Sequence, residues 1–175
     1  NSHVMIPTRL PLLARAAPDA PIAWKQGQPI SRATFLRHVA GVARCLPPAR
    51  FILNLCEDRY RFLVAFAAVG VNGQTSLLPS SRASLHLRQL AEDYPDNARI
   101  ADDDLGSWLG SDTANQTLPA APELPADQVM AMAFTSGSTS SSTSRRSPTR
   151  AASTRTFLLT SDGSISMWIF LAFRA

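Results

Sequence analysis

A chain of 175 residues carrying a formal net charge of +4 is long enough to bury one core. Its two cysteines, Cys45 and Cys56, have no further partners for a metal site, and residues 1–5 read as an expression-vector remnant ahead of the native start. Pro7 and Pro11 interrupt the short apolar run behind that start, so no secretory signal is expected, which points to the cytoplasm and to reduced thiols. The basic balance is confined to one end. Residues 1–139 hold twelve basic and twelve acidic side chains, whereas residues 140–175 hold five arginines against Asp162, so the charge describes the tail and not the domain.

Hydrophobic period lays out alternating elements. Ile22, Ala23 and Trp24 form a short strand, residues 25–28 a turn, and Pro29-Ile30 the returning strand. Ser31 reads as an N-cap, followed by Phe35, Val39, Val42 and Leu46 on one helical face, and Pro47-Pro48 stops that helix. Residues 51–55 are apolar enough for a buried strand. Asp58 caps the next helix, where Tyr60, Leu63, Val64, Ala67, Ala68 and Val71 form one stripe and Phe62, Phe66 and Val69 another, so this helix is expected to be covered on most sides. Gly70 and Gly73 end it, and residues 75–78 give a strand closed by Pro79. Ser81 is expected to cap a helix that carries Ala83, Leu87, Leu90, Ala91 and Tyr94, with a short strand over residues 98–101 beyond it. Strands alternating with helices of this length imply an α/β subdomain over residues 6–101, with a mainly parallel sheet and helices on its faces.

Residues 102–128 contain Asp102, Asp103, Asp104, Asp112, Glu123 and Asp127, three prolines and no basic residue, and read as an acidic linker anchored by Trp108-Leu109. The three adjacent aspartates suit a solvated turn better than a metal site. Glu57-Asp58 suits helix capping better than acid–base work. His38 and His86 read as helical surface or satisfied histidines, so neither a catalytic nor a metal-binding set is assigned.

Residues 129–139, Val-Met-Ala-Met-Ala-Phe-Thr-Ser-Gly-Ser-Thr, form a strand-length apolar run that opens into hydroxyls around one glycine. Small residues unmask backbone N–H groups, and with several hydroxyls they make an anion-binding concavity suited to phosphate. From Phe134 to Thr139 the segment resembles the signature of the adenylate-forming superfamily of acyl-CoA synthetases, peptide-synthetase adenylation domains and luciferases. The Gly70–Gly73 turn between an alanine-rich helix and a Leu-Leu-Pro strand looks like the N-terminal subdomain of the same enzymes, and the resemblance runs from about Pro18 to Thr139. Beyond it the pattern departs: Ser140 stands where the family has its second glycine, Ser142 its proline and Thr143 its lysine.

The resemblance implies ATP- and Mg²⁺-dependent activation of a carboxylic acid to an acyl-adenylate, then transfer to the thiol of coenzyme A or of an acyl carrier protein. Thr135, Ser136, Gly137, Ser138 and Thr139 would then grip the β- and γ-phosphates. With the lysine and all that follows it missing, the chain as written is expected to be inactive.

Three readings of residues 140–175 compete. The Arg145-Arg146-Ser147-Pro148-Thr149-Arg150 segment fits a tail that binds RNA or acidic partners, or a phosphorylation site. Its Ser/Thr density fits a disordered or irregular extension. The arginine bias, with Lys25 the only lysine, suggests a GC-rich gene and favours a frameshift after Thr139 that replaced the proper continuation of the loop. The apolar runs around Asp162-Gly163 look like a hairpin, and the longest is about nine residues against the ~20 that a spanning helix requires. No membrane partner is expected, and nucleic acid only if the chain is a non-catalytic binding module with a basic tail.

Overall fold

The computed structural model describes residues 8–110 and 120–134. In chain order these form β1 (Arg9–Pro11), β2 (Pro21–Lys25), β3 (Gln28–Ser31), α1 (Arg32–Cys45), β4 (Phe51–Asn54), α2 (Arg59–Val71), β5 (Thr75–Leu78), α3 (Ser84–Asp93), β6 (Asn97–Ile100), α4 (Asp102–Gly110), β7 (Glu123–Pro125) and β8 (Ala131–Ala133). The architecture is α/β, built on a four-stranded sheet of order β6-β4-β5-β8 whose three pairings are all parallel.

Local chemistry sets the element ends. β2 and β3 join through Gln26 and Gly27, both at positive φ, the backbone that a two-residue hairpin turn requires. Ser31 caps α1, its Oγ accepting from the Thr34 N–H at 3.2 Å, and Asp58 caps α2, its Oδ1 accepting from the Arg61 N–H at 2.8 Å. Each bond satisfies one N–H that has no partner inside its helix. Gly73, at φ 72°, turns the chain out of α2 toward β5. α2 is the most enclosed helix: Tyr60, Val64, Ala65, Phe66, Ala67, Ala68, Val69 and Gly70 are buried, which accounts for apolar residues on nearly every side of it.

Two cores follow from the alternation of β4. Ile52 points to the face covered by α1, α2 and α4, where Phe35, Val39, Val64, Val69, Ile100 and Leu105 close around it. Leu53 points to the opposite face and meets Leu77, Leu87 and Leu90 beneath α3. Topology makes this arrangement necessary. The step from β4 through α2 to β5 moves one place along the sheet, whereas the step from β5 through α3 to β6 crosses back over β4, so right-handed crossovers put α2 and α3 on opposite faces.

The described residues of the segment expected as a linker include a helix and a strand. Asp102, Asp103 and Asp104 occupy the first turn of α4, where carboxylates are favoured by the helix dipole, and Leu105 is fully buried. Trp108 and Leu109 do anchor it, packing against the α1–α2 core. Farther on, β7 pairs antiparallel with β1, and the Leu12 N–H donates to the Pro122 carbonyl at 2.8 Å. Ser81 also differs from expectation. The N-cap of α3 is Ala83, which has no side-chain cap, and the Ser81 Oγ accepts from the Ala83 N–H one position outside the helix. Residues 1–7 and 140–175 lie outside the described residues, as do the readings made of them. Among the described residues no helix is long and apolar enough to cross a membrane.

Candidate functional site at the carboxyl edge of the sheet

Open parallel sheets receive ligands beyond the carboxyl ends of their strands, at the point where successive connections leave toward opposite faces. That point lies here between β4 and β5, since β4 continues into α2 on one face and β5 into α3 on the other. The loops that diverge there, residues 55–58 and 79–83, are bridged by Arg82. Its guanidinium donates to Glu57 Oε1 at 2.9 Å and to the Cys56 carbonyl at 3.1 Å.

The β4–α2 loop is held from below by two side chains. Asn54, 3% exposed, accepts from the Cys56 N–H at 3.2 Å and donates to the Phe62 carbonyl at 3.2 Å. Asp102 accepts from the Glu57 N–H at 2.7 Å and the Asp58 N–H at 3.2 Å, and Arg61 closes the set with a bond to the Asp102 carbonyl at 3.1 Å. The Arg61–Asp102 ion pair is looser, at 3.9 Å. A carboxylate that accepts two backbone N–H groups fixes the loop more firmly than a surface ion pair would.

These contacts decide which groups are open to chemistry. Burial first, then the Asp102 carboxylate, with a smaller push from Asp104, hold the Cys56 thiol up at about 12 against the opposing pull of Arg61 and Arg82. Cys56 is therefore a protonated thiol in a structural position and not a nucleophile. Asp58 is committed to capping α2 and Glu57 to Arg82, so the pair is not arranged as acid and base. His38 bonds Tyr60 between α1 and α2, and His86 lies on α3. Among the described residues no group of three or more His, Cys, Asp or Glu side chains is placed to hold a metal ion.

β8 runs toward this edge, and the described residues end at Phe134, just before the sequence-predicted loop. The strand lies parallel beside β5, with Leu78 opposite Ala133, and the Phe134 N–H donates to the Leu78 carbonyl at 3.1 Å. The Phe134 ring meets Tyr94 edge-on at 5.7 Å. Thr135, Ser136, Gly137, Ser138 and Thr139 come next in the chain and lie outside the described residues. Arg82 and Asp102 are the organising side chains that sequence reading passed over. Nothing local marks Arg82, while Asp102 was marked by its place before Leu105, Trp108 and Leu109 at helical spacing.

A separate apolar cavity opens between the β1–β7 ribbon and the α1–α2 pair, lined by Leu10, Leu13, Phe35, Phe66, Leu124 and Met130 among others.

No family model matches the chain, and no curated protein matches it. Among solved structures, apo MatB from Rhodopseudomonas palustris is similar to it at 19% identity and a TM-score of 0.48, over 63% of this chain. The likeness spans 28% of that chain's length.

Proposed function

We propose that the chain is the N-terminal part of an adenylate-forming enzyme, one that activates a carboxylic acid with ATP and Mg²⁺ and passes the acyl group to the thiol of coenzyme A or of a carrier protein. The observation that carries this reading is the coincidence of motif and edge. Phe134, the first residue of the Phe-Thr-Ser-Gly-Ser-Thr sequence, follows β8 at the carboxyl side of a parallel sheet, beside the strand where connections diverge. The carboxyl side of an open parallel sheet is the side from which such sheets bind ligands.

In this reading the acid's carboxylate attacks the α-phosphorus and pyrophosphate departs. Thr135, Ser136, Gly137, Ser138 and Thr139 hold the departing phosphates, and donors fixed where charge develops lower the barrier. The residues after Thr139 supply neither the second glycine nor the lysine, so the 175-residue chain itself is inactive and the segment from Ser140 is an out-of-frame continuation. The working protein is cytoplasmic.

Calorimetric titration of the chain with Mg-ATP tests the inactive-chain part: no binding in the micromolar range is expected, and micromolar affinity would refute it. The five tail arginines favour a second reading, a binding module with a basic extension. Binding to single-stranded RNA that weakens steeply as salt rises would support that module, and no detectable binding supports the enzyme fragment.

A further inference from the structure

His38 and Tyr60 take no part in the edge described above, yet they form a close polar contact between α1 and α2. His38 Nδ1 and Tyr60 Oη stand 2.6 Å apart, with ring centroids 5.8 Å apart at an interplanar angle of 71°. The same phenol packs edge-on against Phe35, one turn before His38 on α1, at 6.4 Å. Tyr60 is 7% exposed and His38 half-buried, so the phenol cannot readily exchange its partner for water.

The direction of the bond follows from its surroundings. Burial raises the Tyr60 hydroxyl far above its ordinary value, so it stays protonated, and its hydrogen meets no acceptor among the described residues other than His38 Nδ1, so the phenol is satisfied by donating to it. His38 Nδ1 therefore accepts, with the imidazole proton on Nε2. The charges that act on this imidazole are Arg37, its neighbour on α1, and Lys25, on β2. α2 and α4 also pack on α1, but their charged groups, Arg59 and Arg61 on α2 and Asp102, Asp103 and Asp104 on α4, are not among the charges that act on His38, and Asp102 and Asp104 accept from backbone N–H groups of Glu57, Asp58 and Ala101.

We infer that the His38–Tyr60 pair is an acid-sensitive latch that holds α1 against α2. Protonation turns Nδ1 from acceptor to donor, so the phenol must rotate its hydrogen away from its one polar partner into apolar surroundings. It also adds a positive charge beside Arg37 and Lys25. Burial first, then those two cations, lower the His38 pKa in the fold below its unfolded value of about 6.5. Between these two values the unfolded chain binds more protons than the folded one. The latch is thus fully stabilising above about pH 6.5 and is lost as pH falls through the lowered folded value. Loosening would begin where α1 and α2 meet and would reach the cavity that both helices line.

Two variants of the full chain test this. In NMR titration the His38 ring should protonate below the ordinary histidine range. Tyr60→Phe removes the donor that favours the neutral ring and should move that midpoint upward, a shift that a merely structural tyrosine would not produce. In urea unfolding the wild-type midpoint should fall between about pH 7 and pH 5, and His38→Gln should flatten most of that fall. An unchanged His38 midpoint in Tyr60→Phe, or an undiminished acid loss in His38→Gln, would overturn the latch. If Tyr60→Phe does not fold, the His38→Gln comparison decides alone.

Discussion

Phe66 offers the most direct test of how the domain is held together. The ring is 8% exposed and sits where α2 meets the end of the sheet, packed with Met130 and Ala131 and bordered by Phe62, Leu78 and Leu124. Phe62 lies nearly parallel to it, with centroids 6.3 Å apart at 16°. Truncating a buried phenylalanine to alanine costs about 3–5 kcal/mol, the sum of lost transfer energy and the cavity left behind. Phe66 already lines an open apolar cavity, so the vacated space is continuous with solvent-accessible room and the penalty belongs near the lower end, about 3 kcal/mol. A domain of this size has only about 5–15 kcal/mol of stability in hand. Phe66→Ala should therefore shift the urea midpoint strongly, with little change in slope. Phe62→Ala should cost less, because that ring is half-buried, and the double variant should cost less than the sum of the two, since the rings touch. A loss below about 1 kcal/mol for Phe66→Ala would refute the packing argument, because only an exposed ring is that dispensable.

Other substitutions probe different physics. A methyl group at Gly70 would collide with the Cε and Sδ end of the Met130 side chain, which is flexible and can swing aside, so Gly70→Ala should change stability by less than about 1 kcal/mol, repacking of Met130 being offset by the ~1 kcal/mol gained in helix propensity. Met130→Ala in the same chain should cancel part of the clash, which urea unfolding of the double variant would reveal. Asp102→Ala should cost about 1–3 kcal/mol by removing the charge-assisted hydrogen bonds that its carboxylate accepts from the Glu57 and Asp58 N–H groups. It should also lower the Cys56 pKa from about 12, because Asp102 helps to raise it, so thiol labelling of Cys56 near neutral pH should quicken while exposed Cys45 labels as before. Ser76 is fully buried, and its Oγ has no hydrogen-bond partner among the described residues, so Ser76→Ala should leave thermal stability unchanged or raise it.

Much of the fold could be read from local chemistry because its signals are local. Ser31 and Asp58 each precede an apolar period of 3.6, and both accept the third N–H of their helix as read. β4 and β5 are apolar runs between loops that contain Pro, Gly or Asp, and β4 is interior in the sheet. α4 was missed because acidic density was weighed above period, although carboxylates in a first turn and Leu105 in the core are two aspects of one helix start. β1 and β7 could not be seen locally. Each is a three-residue segment containing proline, made a strand by a partner more than a hundred positions away, with Arg9 opposite Pro125. Arg82 is likewise defined only by where β4 and β5 end, which topology decides. Of the candidate site, the approach through Phe134 to the sheet edge was legible in the apolar run before the hydroxyls, whereas Thr135–Thr139 themselves lie beyond the described residues.

The central claim is that Phe134–Thr139 is the start of a pyrophosphate-holding loop whose continuation was lost with the reading frame. Restoring the alternative frame after Thr139 and assaying exchange of labelled pyrophosphate into ATP across a panel of carboxylic acids tests it directly. The account predicts a longer protein with a Gly-x-Pro-Lys-like continuation, exchange that depends on one of the acids, and weaker exchange in Thr139→Ala, where each charge-assisted hydrogen bond lost is worth roughly 1.5–3 kcal/mol. Alternative frames that stop at once, or a restored protein with no acid-dependent exchange, would contradict it.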